Sequence, residues 1–206
     1  MNYRQKHNYE NLNKVIFDGE GEYDIPLLKN ENITVDDFIG FNFAKSCQRP
    51  ENKCVHFFID DYQFNRLWNR PDAYIDLLKR FKAVFTPDFS LYTDFPKAIQ
   101  IYNHYRKHWL GAYWQEHSIK VIPTITWSDE SSYEWCFDGE PIGGAIAVSS
   151  VGTQKRAESK ELFLKGYNEM LNHLNPTLIY FHGSVPDECK GNICRIEAYQ
   201  EKLHKM

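Results

Sequence analysis

The chain has 206 residues, 42% of them apolar and 25% charged, which suits one globular domain with a full hydrophobic core. Its 24 basic and 28 acidic residues give a net charge of -4 with no long run of one sign; the basic stripe of a duplex-binding protein is missing, which argues against long nucleic acid as a partner. Five cysteines, an odd number in a chain too long to need staples, point to a reduced, cytoplasmic setting.

Residues 1–14 are polar and Asn-rich, so a flexible N-terminal segment is expected there and a single α/β domain over 15–206. That opening lacks the apolar h-region of a signal peptide, and nowhere does a run of about 20 apolar residues announce a membrane span. VIFDGEGEYDIPLL reads as an extended lead-in that turns at Gly19–Gly21. Strands are expected at 37–44, 54–61, 83–89, 120–127, 143–150 and 177–184, each with a nearly continuous apolar centre. Helices are expected at 71–82, at about 96–117, and at 157–174, where Phe163, Tyr167, Met170 and Leu174 align and Pro176 follows. On the long middle helix the apolar stripe is Ala98, Ile101, Tyr102, Tyr105, Trp109, Ala112 and Tyr113. NICRIEAYQEKLH adds an edge strand and a short closing helix. Alternating strands and helices predict a mostly parallel six-stranded sheet, as a reduced TIM-like (βα) barrel in preference to an open doubly wound sheet.

Parallel α/β folds place ligands beyond the C-terminal ends of their strands. The polar residues there are Asp60 and Asp61, Asp88, Trp127, Ser149, Ser150, Gly152 and Thr153, and His182, Gly183 and Ser184. Asp60, Asp61 and Asp88 are hard oxygen donors suited to magnesium or manganese, although strand alternation turns only one of the first two to the mouth. Asp88 and His182 are the candidate catalytic acid–base groups. The small residues of SSVGT and HGS resemble an anion-binding corner in which backbone amides approach a phosphate. Trp127 could stack on a base or sugar ring. Each feature also has an ordinary role: aspartates end strands, small residues make turns, and tryptophans fill cores. His104 and His108 have a legal i,i+4 metal spacing but no HExxH glutamate, and read as surface histidines. Cys189 and Cys194 in ECKGNIC supply only half of a zinc site.

FIDDYQFNRLW, FTPDFSLYTDFP, PTITWSDESSYEWCFDG, AVSSVGT and GSVP together resemble an uncharacterised domain-of-unknown-function family of Gram-positive bacteria, their phages and mobile elements, over about residues 35–200. The resemblance implies a phage or mobile-element setting and transfers no catalytic residues. Two functions are expected to compete. One is a pocket for a phosphate-bearing small ligand, a nucleotide or nucleotide-derived compound, with metal-assisted hydrolysis. The other is an accessory protein that binds a host protein or sequesters a small molecule, as in counter-defence. A replication-associated DNA protein is a third and weaker reading.

Overall fold

A computed structural model describes residues 14–31 and 33–198. The expected flexible segment falls outside these residues except for Lys14, and so does the expected closing helix. The lead-in forms a two-stranded antiparallel hairpin, β1 (Gly19–Glu20) and β2 (Ile25–Pro26), turning through Gly21 at φ +72°.

Seven parallel strands follow among the described residues. β3 (Asp37–Gly40), β4 (Lys53–His56), β5 (Ala83–Phe85) and β6 (Val121–Ile122) make one sheet in chain order. β7 (Ala145–Ser149), β8 (Leu178–His182) and β9 (Ile193–Ile196) make a second. The mostly parallel α/β class therefore holds, while the single six-stranded sheet is corrected to parallel sheets of four and three strands. Pro123 explains the break: it has no N–H to extend β6. Side chains take over at this point. The Thr124 amide donates to Thr86 Oγ1 (2.7 Å), and the Thr124 hydroxyl donates to the Thr86 carbonyl (2.8 Å). Across the break, the Ile125 amide donates to the Ala147 carbonyl and the Ala147 amide to the Pro123 carbonyl, both at 2.8 Å. Thr124 and Ala147 thus form a parallel bridge between the sheets.

Among the described residues four α-helices pack around the strands: α1 (Arg66–Asn69), α2 (Ile75–Leu78), α3 (Lys97–Glu116) and α4 (Ala157–Leu174). The helix expected over 71–82 is broken into a 3-10 turn at Pro71–Tyr74 and the single turn of α2. α4 matches its expected bounds and ends at Asn175, which adopts the left-handed conformation at φ 42°. One apolar cluster lies between the first sheet and α1–α3, and a second between β7–β8 and α4. A third draws alternate residues from both sheets, among them Cys54, Phe85, Ile122, Ala147, Tyr180 and Ile196. Both sheets therefore turn one face to a shared interior, where Tyr180 stacks edge-on to Phe38 and its hydroxyl accepts the Val35 amide. No hydrogen-bonded pairing joins β9 to β3 among the described residues, so a closed TIM-like barrel is not established.

α3 departs from its expected orientation. Its first three turns bury Gln100, Asn103, His104, Lys107 and His108, while Ala98 and Tyr102 of the expected apolar stripe are exposed. None of the helices among the described residues is long and apolar enough to cross a membrane.

Trp127 illustrates how tightly α4 is docked. Its indole lies against Phe163 with ring centroids 5.4 Å apart, and a Cβ at Gly166 would stand 2.1 Å from its Nε1. Gly166→Ala is therefore expected to destabilise the protein by about 1–3 kcal/mol through overpacking. Combining it with Trp127→Leu should recover part of that loss, as measured by denaturant unfolding.

Candidate functional site

A cavity of about 860 Å³ opens at the C-terminal ends of the strands, and both sheets contribute to it. Asp60, Asp61 and Asp88 come from the first sheet; Ser149 and His182 come from the second. Both adjacent aspartates line the cavity because β4 ends at His56 and Asp61 opens a 3-10 turn, so strand alternation no longer separates them. A smaller hollow of about 570 Å³ lies by the start of β3 and β4, where Lys53 pairs with Asp37; the strand-end residues do not reach it.

Asp61 fixes the geometry of the acidic wall. It accepts the Ser90 amide (3.0 Å) and the Ser90 hydroxyl (2.9 Å), tying the loop after β4 to the loop after β5. The Ser90 carbonyl in turn accepts Asn103 Nδ2 of α3 (2.7 Å). Arg106 donates to Asn103 and Asn65 and lies 4.0 Å over the Phe89 ring. Asp88 sits inside this frame, between Phe89 and the end of β5, with part of its surface facing the cavity. Burial pushes its carboxyl up to about 7, and the negative charge of Asp61 adds to the shift while Lys107 opposes it. Asp88 is thus poised to give or take a proton near neutrality.

His182 is held from the other sheet. Its Nδ1 lies 3.0 Å from Ser149 Oγ, which itself accepts the Val151 amide at 3.3 Å. The imidazole stacks on Phe58, with centroids 4.5 Å apart and planes within 10°, and His56 lies beside it at 5.6 Å.

The other expected residues serve different ends. The Ser150 hydroxyl donates to the Ser184 carbonyl (2.6 Å), and the Thr153 hydroxyl donates to the Ser150 carbonyl (2.8 Å). Gly152 and Gly183 adopt positive φ, and a Cβ on Gly183 would meet Ser150 Oγ at 3.0 Å. The Ser150–Ser184 bond joins the two strand-end loops, Thr153 and Gly152 shape the first of them, and Ser149 and Val151 of SSVGT line the cavity. Gly152–Arg156 separate that turn from the start of α4. Trp127 packs on α4 rather than at the cavity. Asp60, Asp61 and Asp88 do not form a three-carboxylate set within ligand range of one another; the cluster of that kind among the described residues is His104, His108 and Glu140. All three are buried, so the reading of His104 and His108 as surface histidines is corrected. Their spacing was visible in the sequence, but Glu140 lies 32 residues beyond His108 and carries no local signal. Cys189 and Cys194 are free thiols. His56, Phe58 and Ser90, which escaped the strand-end reading, line the cavity because β4 and β5 stop short of their expected ends.

The profile of one protein family, described as a domain of unknown function (DUF4417), matches residues 17–200. The chain belongs to the DUF4417 family. Two curated relatives are phage proteins. The Gene 1 protein of Mycobacterium phage L5 is 36% identical over 174 residues, covering 84% of this chain and 76% of that protein. The Gene 1 protein of Mycobacterium phage D29 is 33% identical over 174 residues, covering 84% of this chain and 64% of that protein. No solved structure matches the chain. The expected resemblance to a family with phage members is thereby confirmed, and this DUF4417 chain has the strand-end cavity within the matched region.

The shift at Asp88 makes stability depend on pH. Its carboxyl has a higher pKa folded than unfolded, so between about pH 4 and 7 the folded state binds more protons and stability falls as pH rises. Asp88→Asn removes this cost. It is expected to stabilise the protein by on the order of 2–4 kcal/mol at pH 8 and to have little effect near pH 4, measured as urea midpoints at the two pH values.

Proposed function

We propose that the strand-end cavity binds a small phosphate-bearing ligand with a ring, a nucleotide or nucleotide-derived compound, together with Mg²⁺ or Mn²⁺. The carrying observation is the cavity wall. Asp60, Asp61, Asp88 and Glu197 face it and no lysine or arginine lines it among the described residues, so an anionic ligand must bring its own cation. Mg²⁺ commonly takes one or two carboxylates plus substrate phosphate oxygens, and the Asp61–Asp88 pair suits that mode without a third carboxylate. Such an ion would offset the burial that lifts the Asp88 carboxyl and the Asp61 charge that adds to the rise. Phe58, Tyr92 and Phe95 supply aromatic surface for a ring. Hydrolysis would use the ion to activate water, with Asp88 and His182 as proton-handling groups. Ser149 and the Val151 loop would sit at the phosphate side of the ligand. A barrel-like curvature of the seven strands, with the cavity at its mouth, fits this role.

A second reading, a non-catalytic accessory protein that binds a host protein, is favoured by one observation. Phe43, Tyr62 and Tyr92 at the cavity mouth are 50%, 78% and 60% exposed. Aromatic rings of this kind are frequent anchors in protein interfaces. The phage relatives suit either role.

Melting with a nucleotide panel, in Mg²⁺, Mn²⁺ or chelator, separates the two. A ligand at about 100 times its dissociation constant is expected to add roughly 2.7 kcal/mol, only with the metal present, and Asp88→Asn should abolish the shift. No metal-dependent shift with any nucleotide, together with host-protein capture that survives replacement of Asp60, Asp61 and Asp88 by Asn, would establish the second reading instead.

A further inference from the structure

We propose that His104, His108 and Glu140 form a zinc-class metal site, separate from the strand-end cavity and built to join the hairpin and the 138–140 loop to α3. The i,i+4 spacing puts both imidazoles on one helix face, with ring centroids 4.4 Å apart. The ligand atoms of all three residues lie within 4.8 Å of one another.

The hydrogen bonds specify which atoms are available. His104 Nε2 is 3.2 Å from the Asp138 carbonyl, which can only accept, so Nε2 carries the proton and Nδ1 the lone pair. His104 Nδ1 is buried and accepts no hydrogen bond among the described residues. His108 Nδ1 is 2.9 Å from the Pro26 carbonyl, so it too carries its proton on the side away from the cluster. Each histidine is therefore oriented by a backbone carbonyl through its second ring nitrogen, the usual arrangement behind a metal-ligating histidine.

Glu140 completes the set. Its Oε1 accepts Lys107 Nζ (2.6 Å) and lies 2.9 Å from His108 Nε2, while Oε2 is buried without a hydrogen bond among the described residues. Two buried acceptors with no donor lie beside a third atom that becomes an acceptor when its proton leaves. A cation satisfies all three. On binding, His108 Nε2 releases its proton and ligates the ion, as metal binding to histidine requires.

Two imidazoles and one carboxylate favour zinc and its transition-metal neighbours over magnesium, which prefers oxygen. Lys107 adds positive charge beside the site, and nearby carboxylates offset it: Asp88 acts on Lys107, and Asp138 on His108. The site would brace contacts already present. The Leu28 amide donates to the Gly139 carbonyl (2.9 Å), and the Gly139 amide donates to Glu20 (2.7 Å). Because all three ligands are buried, the ion would be acquired during folding rather than by later diffusion.

The test is to refold the full chain with zinc sulfate, dialyse it against EDTA and measure metal content by atomic emission. About one zinc per chain is expected to remain. His104→Gln, whose amide can still donate to the Asp138 carbonyl, should lose at least about nine-tenths of it while keeping a cooperative melt. Absence of retained zinc in the native sequence, or equal retention in His104→Gln, overturns the proposal. Should His104→Gln fail to fold, cobalt substituted into the native sequence decides. Four-coordinate visible absorption without a thiolate charge-transfer band supports the site; a thiolate band would place the metal on cysteine and overturn it.

Discussion

Lys107 enters the interior of the protein with its charge and holds the carbonyl at which the two sheets meet. Its Nζ donates to the Thr124 carbonyl (2.9 Å) and to Glu140 (2.6 Å), and both charged side chains are almost wholly buried. An ammonium isolated there would be strongly disfavoured, and removal of one member of a buried ion pair commonly costs about 3–5 kcal/mol. The pairing is mutual. Burial alone would push the Glu140 carboxyl up, but Lys107 and His108 outweigh it and hold it below the usual carboxylate range. Thr124 is also the residue that replaces ladder pairing with side-chain hydrogen bonds after Pro123. A polar girder thus runs from α3 to the seam between the sheets, where an apolar contact could not satisfy the interrupted backbone.

The cavity follows from that seam. Asp61 and Asp88 belong to one sheet, His182 and Ser149 to the other, and they share one wall because the strands on both sides of Thr124 run the same way. Lys107 also reaches the site electrostatically, since it is the group that opposes the rise of the Asp88 carboxyl. The same residue therefore supports the architecture and tempers the charge of the acidic wall. The loops that were candidates for phosphate contact have a parallel structural role: Ser150 bonds to Ser184 and accepts Thr153, next to the Ser149–His182 contact at 3.0 Å.

Local patterns in the sequence are enough to find α4, because its apolar stripe and the Asn175-Pro176 stop depend on residues within one helix. The parallel direction of the strands was also legible, as was the placing of Asp88 and His182 along one cavity, from apolar runs that each end in a polar residue. α3 was not. Its buried face carries His104, Lys107 and His108, and their partners Thr124, Asp138 and Glu140 lie 17 to 34 residues further along the chain. Hydrophobic periodicity cannot see a polar face that is buried because distant groups satisfy it. The division into two sheets was hidden for a similar reason: a single proline at 123 breaks the ladder, and Thr86, Ala147 and Lys107, all distant in sequence, satisfy the groups around it.

Native-state hydrogen exchange on the Lys107→Met variant tests the central claim, that the Thr124 seam makes both sheets one cooperative unit. Amides of Val84 in the first sheet and Ile179 in the second report on either side. In the native sequence both should open with the same free energy, and in the variant both should lose protection by the same amount, on the order of 3 kcal/mol. Loss of protection in one sheet while the other keeps its native value would show that the sheets are independent, and would contradict a shared cavity maintained through Lys107.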